Sequence, residues 1–96
     1  MKSHNYFVYI TTNPSRTVLY VGVTNDLVYR LEQHKENRGK PETFAGRYYK
    51  LLYNERYTYV QHAIDREKEL KSWNRERKIE LIKSEDPFLR FLKSEP

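Results

Sequence analysis

A chain of 96 residues is the size of one domain, and a 38% hydrophobic content suffices for a small core. The absence of cysteine excludes a disulfide scaffold and any cysteine-ligated zinc; no segment approaches the ~20 apolar residues of a membrane span or resembles a signal peptide, so a soluble cytoplasmic protein without membrane contact is expected. The net charge of +5 suits a polyanionic partner such as nucleic acid, although it also serves plain solubility.

Asn5 to Thr11, NYFVYIT, is rich in β-branched and aromatic residues and predicts a strand. Asn13, Pro14 and Ser15 supply turn chemistry, and Val18 to Val23, VLYVGV, predicts a second strand close enough to form a hairpin with the first. Thr24 or Asn25 can cap the next helix, with Asp26 favouring its positive end. Leu27, Val28 and Leu31 carry the apolar period of that helix, which is expected to run to about Asn37 before Gly39 and Pro41 close it. ENRGKPETFAGR then reads as a basic, polar loop. Tyr48 to Glu55 predicts a third strand, Tyr59 to about Asn74 a long helix, and Arg77 to Lys83 a short one, with Asp86-Pro87 breaking the chain. Phe88, Leu89, Phe91 and Leu92 fall at helical spacing, so the tail from about residue 84 to 96 is expected to dock on a core of about residues 5–83. There is no internal repeat and no linker. The pattern predicts a single α+β domain.

Two groupings ask for a chemical explanation. If Thr11 pairs with Val18, Tyr9 stands opposite Tyr20, and directly opposed residues share one face of a sheet. Two phenols side by side ordinarily make a packed aromatic pair. On the long helix, Val60, Ala63, Ile64 and Leu70 form an apolar stripe with Glu67 in its midst. A carboxylate turned toward a core needs an ion-pair partner, here Arg66, Lys71 or Arg30, or else a metal or an opening to solvent. Arg30 and His34 lie four apart, on one helical face beside Leu27 and Leu31. A solvated basic face and a packed histidine are the ordinary outcomes for such residues. Phenols, guanidinium, imidazole and a lone carboxylate together suit hydrolysis of a phosphodiester with one metal ion.

These residues also carry a resemblance. FVYI at residues 7–10, YVG at 20–22, Arg30, His34 and the Arg66-Glu67 pair resemble the GIY-YIG nuclease superfamily, including the eleven-residue step from Tyr9 to Tyr20 and the ten-residue step to Arg30. AIDREKELKSWNRERKIELI resembles the small stand-alone GIY-YIG proteins of bacteria, and the likeness covers roughly residues 5–83. The resemblance implies a three-stranded antiparallel sheet flanked by helices in β-β-α-β-α-α order, and cutting of DNA with one divalent cation, Mg²⁺ or Mn²⁺. It also implies site roles. Tyr9 would be the general base or activator of water, Tyr20 would help hold water and phosphate, and Arg30 would steady phosphate charge. His34 would play a supporting part, and Glu67 would bind the metal. Asn74 falls near a position that is polar in some members. A phenol ionises near ~10, so Tyr9 would serve as a base only with positive charge close by.

The sequence departs from the family pattern in places. Phe7 takes the glycine position of the first motif, Val21 replaces an isoleucine, and Val23 stands where some members carry lysine. No appended DNA-binding domain is expected. Substrate choice would then come from the structure of the nucleic acid, from a protein partner, or from basic residues such as Lys35, Arg38, Lys40 and Arg47, with Asn74 as a further contact. The reading is a metal-dependent endonuclease acting on DNA rather than RNA, as a monomer or weak homodimer. Its rivals are a nucleic-acid-binding module with weak or no catalysis, and an interaction protein docking through its apolar tail.

Overall fold

The computed structural model describes residues 5–36 and 50–92, except for the side chains of Leu31 and residues 33–36. The order is β1 (Tyr6–Thr12), β2 (Leu19–Thr24), α1 (Leu27–Glu36), β3 (Lys50–Tyr57), α2 (Val60–Ser72) and α3 (Arg75–Glu85). The strands form one antiparallel sheet in the order β2-β1-β3, so the chain's first strand is central.

Alternation along β1 divides the sheet into two apolar faces. Val8 and Ile10 join Val21, Leu52 and Tyr53 beneath Ala63 and Leu70 of α2 and Ile82 of α3, and all are buried. Tyr9 and Leu51 occupy the other face, where Tyr20 and Leu27 pack against them. A bulge makes this division possible. Ile10 pairs with Tyr53 but Thr11 pairs with Leu51, leaving Leu52 as an extra residue on β3. Without it Leu51 and Tyr53 would share a face; with it Leu51 turns toward Tyr9 while Tyr53 stays under the helices.

The hairpin register differs from the expected one. Tyr9 lies opposite Gly22, and Tyr20 lies opposite Thr11. The cause is the connecting loop. The Asn13 side chain accepts the backbone N–H groups of Thr17 at 2.9 Å and Val18 at 3.3 Å, and the Thr12 hydroxyl donates to the Val18 carbonyl. Val18 is thereby held in the loop rather than in the ladder, and Thr12 pairs with Leu19 instead. Arg16 completes the turn with a positive φ of 59°.

The helices begin and end for local reasons. Asp26, not Thr24 or Asn25, caps α1, its carboxylate accepting the Tyr29 N–H at 3.0 Å; Thr24 instead supports the Asp26 N–H. Helix α2 ends at Trp73 and Asn74, both in extended conformation. The Asn74 side chain then accepts the Arg77 N–H at 2.8 Å, which starts α3 two residues before the expected Arg77. Beyond α3, the Leu92 N–H donates to the Leu51 carbonyl at 2.8 Å, and Arg16 donates to the Leu89 carbonyl at 3.0 Å. The segment after α3 thus lies along the outer edge of β3 and against the β1–β2 loop.

Candidate active site

The site is organised around Tyr9, which is 2% exposed although it is a phenol on the sheet face opposite the Val8 and Ile10 core. Its ring lies across Gly22: a Cβ at that position would come within 2.5 Å of the Tyr9 ring carbon Cζ and hydroxyl. Glycine is required here for close approach rather than for an unusual backbone angle. Because Tyr20 precedes Gly22 by two residues, its side chain points to the same face, diagonal to Tyr9. The two ring centroids are 6.3 Å apart with planes tilted by 49°. Leu27, the first residue of α1, and Leu51 wall this aromatic pair.

Arg30 sits one turn into α1, exposed, and its guanidinium is close enough to Tyr9 to favour ionisation of the phenol. Glu67 is close enough to oppose it. Burial is the largest influence; together with Tyr20, Glu67 and a hydrogen bond with the Tyr20 side chain, it outweighs Arg30 and holds the Tyr9 hydroxyl well above the usual phenol range. At neutral pH Tyr9 is therefore a proton-bearing hydroxyl. Use of Tyr9 as a base would require additional positive charge close to it.

Glu67 projects from α2 with its side chain only 16% exposed, and Lys71 one turn later places Nζ 3.3 Å from Oε2. Of the partners open to it in the sequence, the carboxylate takes Lys71. Its helix neighbour Arg66 turns elsewhere. Arg66 binds both oxygens of Glu55 at 3.0 Å, bonds Glu69, and places its guanidinium 5.1 Å from the Trp73 ring centroid. Tyr53 and Tyr57 donate to the same Glu55 carboxylate at 2.5 and 2.6 Å. Burial alone would raise the Glu55 carboxyl, but the Arg66 and tyrosine hydrogen bonds prevail and hold it below the usual range. Apolar period does not mark this network in the sequence; its one signal there is the alternation of Tyr53, Glu55 and Tyr57 on one face of a strand. It joins β3 to α2 and so helps fix the helix that carries Glu67.

Tyr20, Arg30 and Glu67 thus each lie within electrostatic reach of Tyr9. Asn74 acts as the α3 cap, which accounts for a polar residue there without any ligand. The side chains of His34 and Lys35, and Arg38, Lys40 and Arg47 entirely, lie outside the described residues. Among the described residues no group of three or more His, Cys, Asp or Glu side chains gathers as a metal cluster. One mostly covered carboxylate that already draws a cation, beside phenolic oxygens, is nevertheless a donor set that fits a hard divalent ion completed by water and phosphate oxygens.

A family model described as the GIY-YIG catalytic domain matches residues 5–80. The chain belongs to the GIY-YIG family. A UPF0213 protein of Staphylococcus aureus (strain Mu3) is 39% identical over 83 residues, covering 86% of this chain and 98% of its own length. A UPF0213 protein of Bacillus pumilus is 35% identical over 78 residues, covering 81% of this chain and 79% of its own. The solution NMR structure of a UPF0213 protein from Bacillus halodurans, 25% identical, matches with a TM-score of 0.56 over 88% of this chain and 90% of that one. The GIY-YIG family is one of nucleases that generally use divalent metals; the names of these relatives specify no activity or substrate. In GIY-YIG terms, Tyr9 belongs to the first name-giving motif and Tyr20 to Gly22 to the second. The structure gives the glycine of the second motif a physical purpose, namely room for the tyrosine of the first.

Proposed function

We propose that this protein is a divalent-metal-dependent endonuclease that hydrolyses phosphodiester bonds in DNA, with branched, nicked or single-stranded DNA as the preferred substrates. The observation that carries the reading is that one buried phenol, Tyr9, feels a guanidinium from α1, a carboxylate from α2 and a second phenol from β2. This is the complement of charges that phosphodiester hydrolysis needs.

Each residue has a task that follows from its surroundings. Arg30, exposed and always charged, grips the non-bridging phosphate oxygens with paired donors. Tyr20 orients the Tyr9 hydroxyl, which in turn orients the attacking water opposite the leaving oxygen. Glu67 would hold the metal, Mg²⁺ or Mn²⁺, which supplies charge neutralisation at the phosphate and the departing oxygen. His34, Lys35, Arg38, Lys40 and Arg47 keep the supporting and nucleic-acid-contacting roles that the sequence suggests, while Asn74 serves as the α3 cap. A cytoplasmic location accords with this activity, and no helix among the described residues is long and apolar enough to cross a membrane.

A second reading, a nucleic-acid-binding module with weak or no catalysis, is favoured by two observations: Glu67 is engaged by Lys71, and Tyr9 is held protonated. Incubation with duplex, single-stranded, nicked and branched DNA, with and without Mg²⁺ or Mn²⁺, separates the two. The nuclease reading expects metal-dependent strand cleavage and ranks the substrates. Salt-sensitive binding without cleavage on any substrate would support the binding module instead.

A further inference from the structure

We propose that Lys71 is a phosphate-positioning residue, resting on Glu67 in the metal-free protein and passing to the scissile phosphate when a divalent cation takes the carboxylate. The inference rests on the reading of Glu67 as the metal ligand. Its basis is the pair itself: a 52% exposed ammonium lies 3.3 Å from a carboxylate whose side chain is only 16% exposed.

An i,i+4 pair with one exposed partner is weak and salt-sensitive. It yields readily to a divalent ion, and ammonium and metal repel each other at one carboxylate. A phosphodiester held by that metal would offer new oxygens to the same side chain. Lysine suits such a transfer because its charge is compact, its stem is flexible and its three donors rotate. The helix end that carries it is fixed. Just beyond Lys71, Arg75 donates to the Arg16 and Thr17 carbonyls at 2.7 Å each, clamping the loop that leads into the strand of Tyr20. Lys71 of α2 and Arg30 of α1 would then bring cationic groups to one phosphate from two separate helices.

The test uses full-length wild type, Glu67→Ala, Lys71→Met and Lys71→Arg, each with its melting temperature recorded. Mn²⁺ affinity without DNA, the salt dependence of DNA binding without metal, and single-turnover cleavage at saturating Mn²⁺ are measured. Lys71→Met is expected to bind Mn²⁺ about twofold more tightly, because the competing ammonium is gone. It should nonetheless cleave at least about tenfold more slowly. The metal-free salt slope should stay at its wild-type value, since Lys71 remains on Glu67 until the ion arrives. Lys71→Arg should recover most of the cleavage, which a merely structural lysine at a helix end would not require. Mn²⁺ binding that depends on Glu67, with wild-type Mn²⁺ affinity and cleavage in Lys71→Met, would overturn this inference alone. Mn²⁺ binding unchanged in Glu67→Ala would overturn the metal reading and the inference together.

Discussion

Gly22 decides the position of a side chain it does not possess. The Tyr9 ring occupies the space where a Cβ would stand, and Tyr9 is too buried to swing freely aside. Gly22→Ala is therefore expected to displace the phenol and destabilise the fold by about 1–3 kcal/mol. The check is a urea titration beside a cleavage assay, and a variant with wild-type stability and rate would remove the packing argument. Across the ladder from Tyr20, Thr11 is fully buried and its hydroxyl has no hydrogen-bond partner among the described residues. Replacing it by the isosteric Val should be neutral or stabilising by up to ~1 kcal/mol, since a buried unpaired hydroxyl contributes only its desolvation. A clear loss of stability in Thr11→Val would mean that the hydroxyl is bonded after all.

Between elements, the Glu55 carboxylate is the join that matters most for the site, because Arg66 immediately precedes Glu67. Glu55→Ala would leave the Arg66 guanidinium and the Tyr53 and Tyr57 hydroxyls without their shared acceptor. A loss of about 2–3 kcal/mol is expected in chemical denaturation. The same network sets a pH window. Glu55 is held below its ordinary 4.5, so its contribution is present above that value and fades as pH falls through the lower folded value. The Tyr57 hydroxyl is raised, by burial and then by its bond to Glu55, from 10.0 to about 12, so its contribution is present below 10.0 and fades as pH rises toward about 12. Melting temperature against pH should show a broad plateau between these limits in wild type; Glu55→Ala should lose the acid shoulder and only soften the alkaline one, since burial continues to raise Tyr57.

The strands and helices were legible because composition and apolar period mark them: the β-branched and aromatic runs at Asn5 and Val18, and the stripe Val60, Ala63, Ile64 and Leu70. Register was not, because it depends on how Asn13 folds its side chain over the loop. The bulge was hidden because Leu51 and Leu52 are both apolar, so alternation gives no sign of the extra residue. At the site, the step from Tyr9 to Tyr20 and on to Arg30 was readable as spacing. The proton-holding character of Tyr9 was not, because burial is a property of the assembled fold.

At the scale of the whole molecule, a small sheet with a central first strand leaves β3 as an edge, and the segment after α3 covers it through Leu92 and Leu51. Leu51 also packs against Tyr9, so this cover and the site share a residue. Removing residues 88–96 should lower the melting temperature by about 5 °C, and an unchanged melting curve would show the cover to be dispensable. The net charge of +5 gives the protein a long-range attraction for polyanions, which calls for nucleic-acid affinity that falls steeply with salt. In the proposed nuclease, charge would draw DNA to the surface and cutting would depend on Glu67. The most direct measurement is therefore single-turnover cleavage of a labelled branched DNA by wild type and Glu67→Ala, at matched DNA occupancy and saturating Mn²⁺. The account predicts cleavage by wild type and at least ~100-fold less by Glu67→Ala with binding retained. Equal cleavage by the two proteins would contradict it.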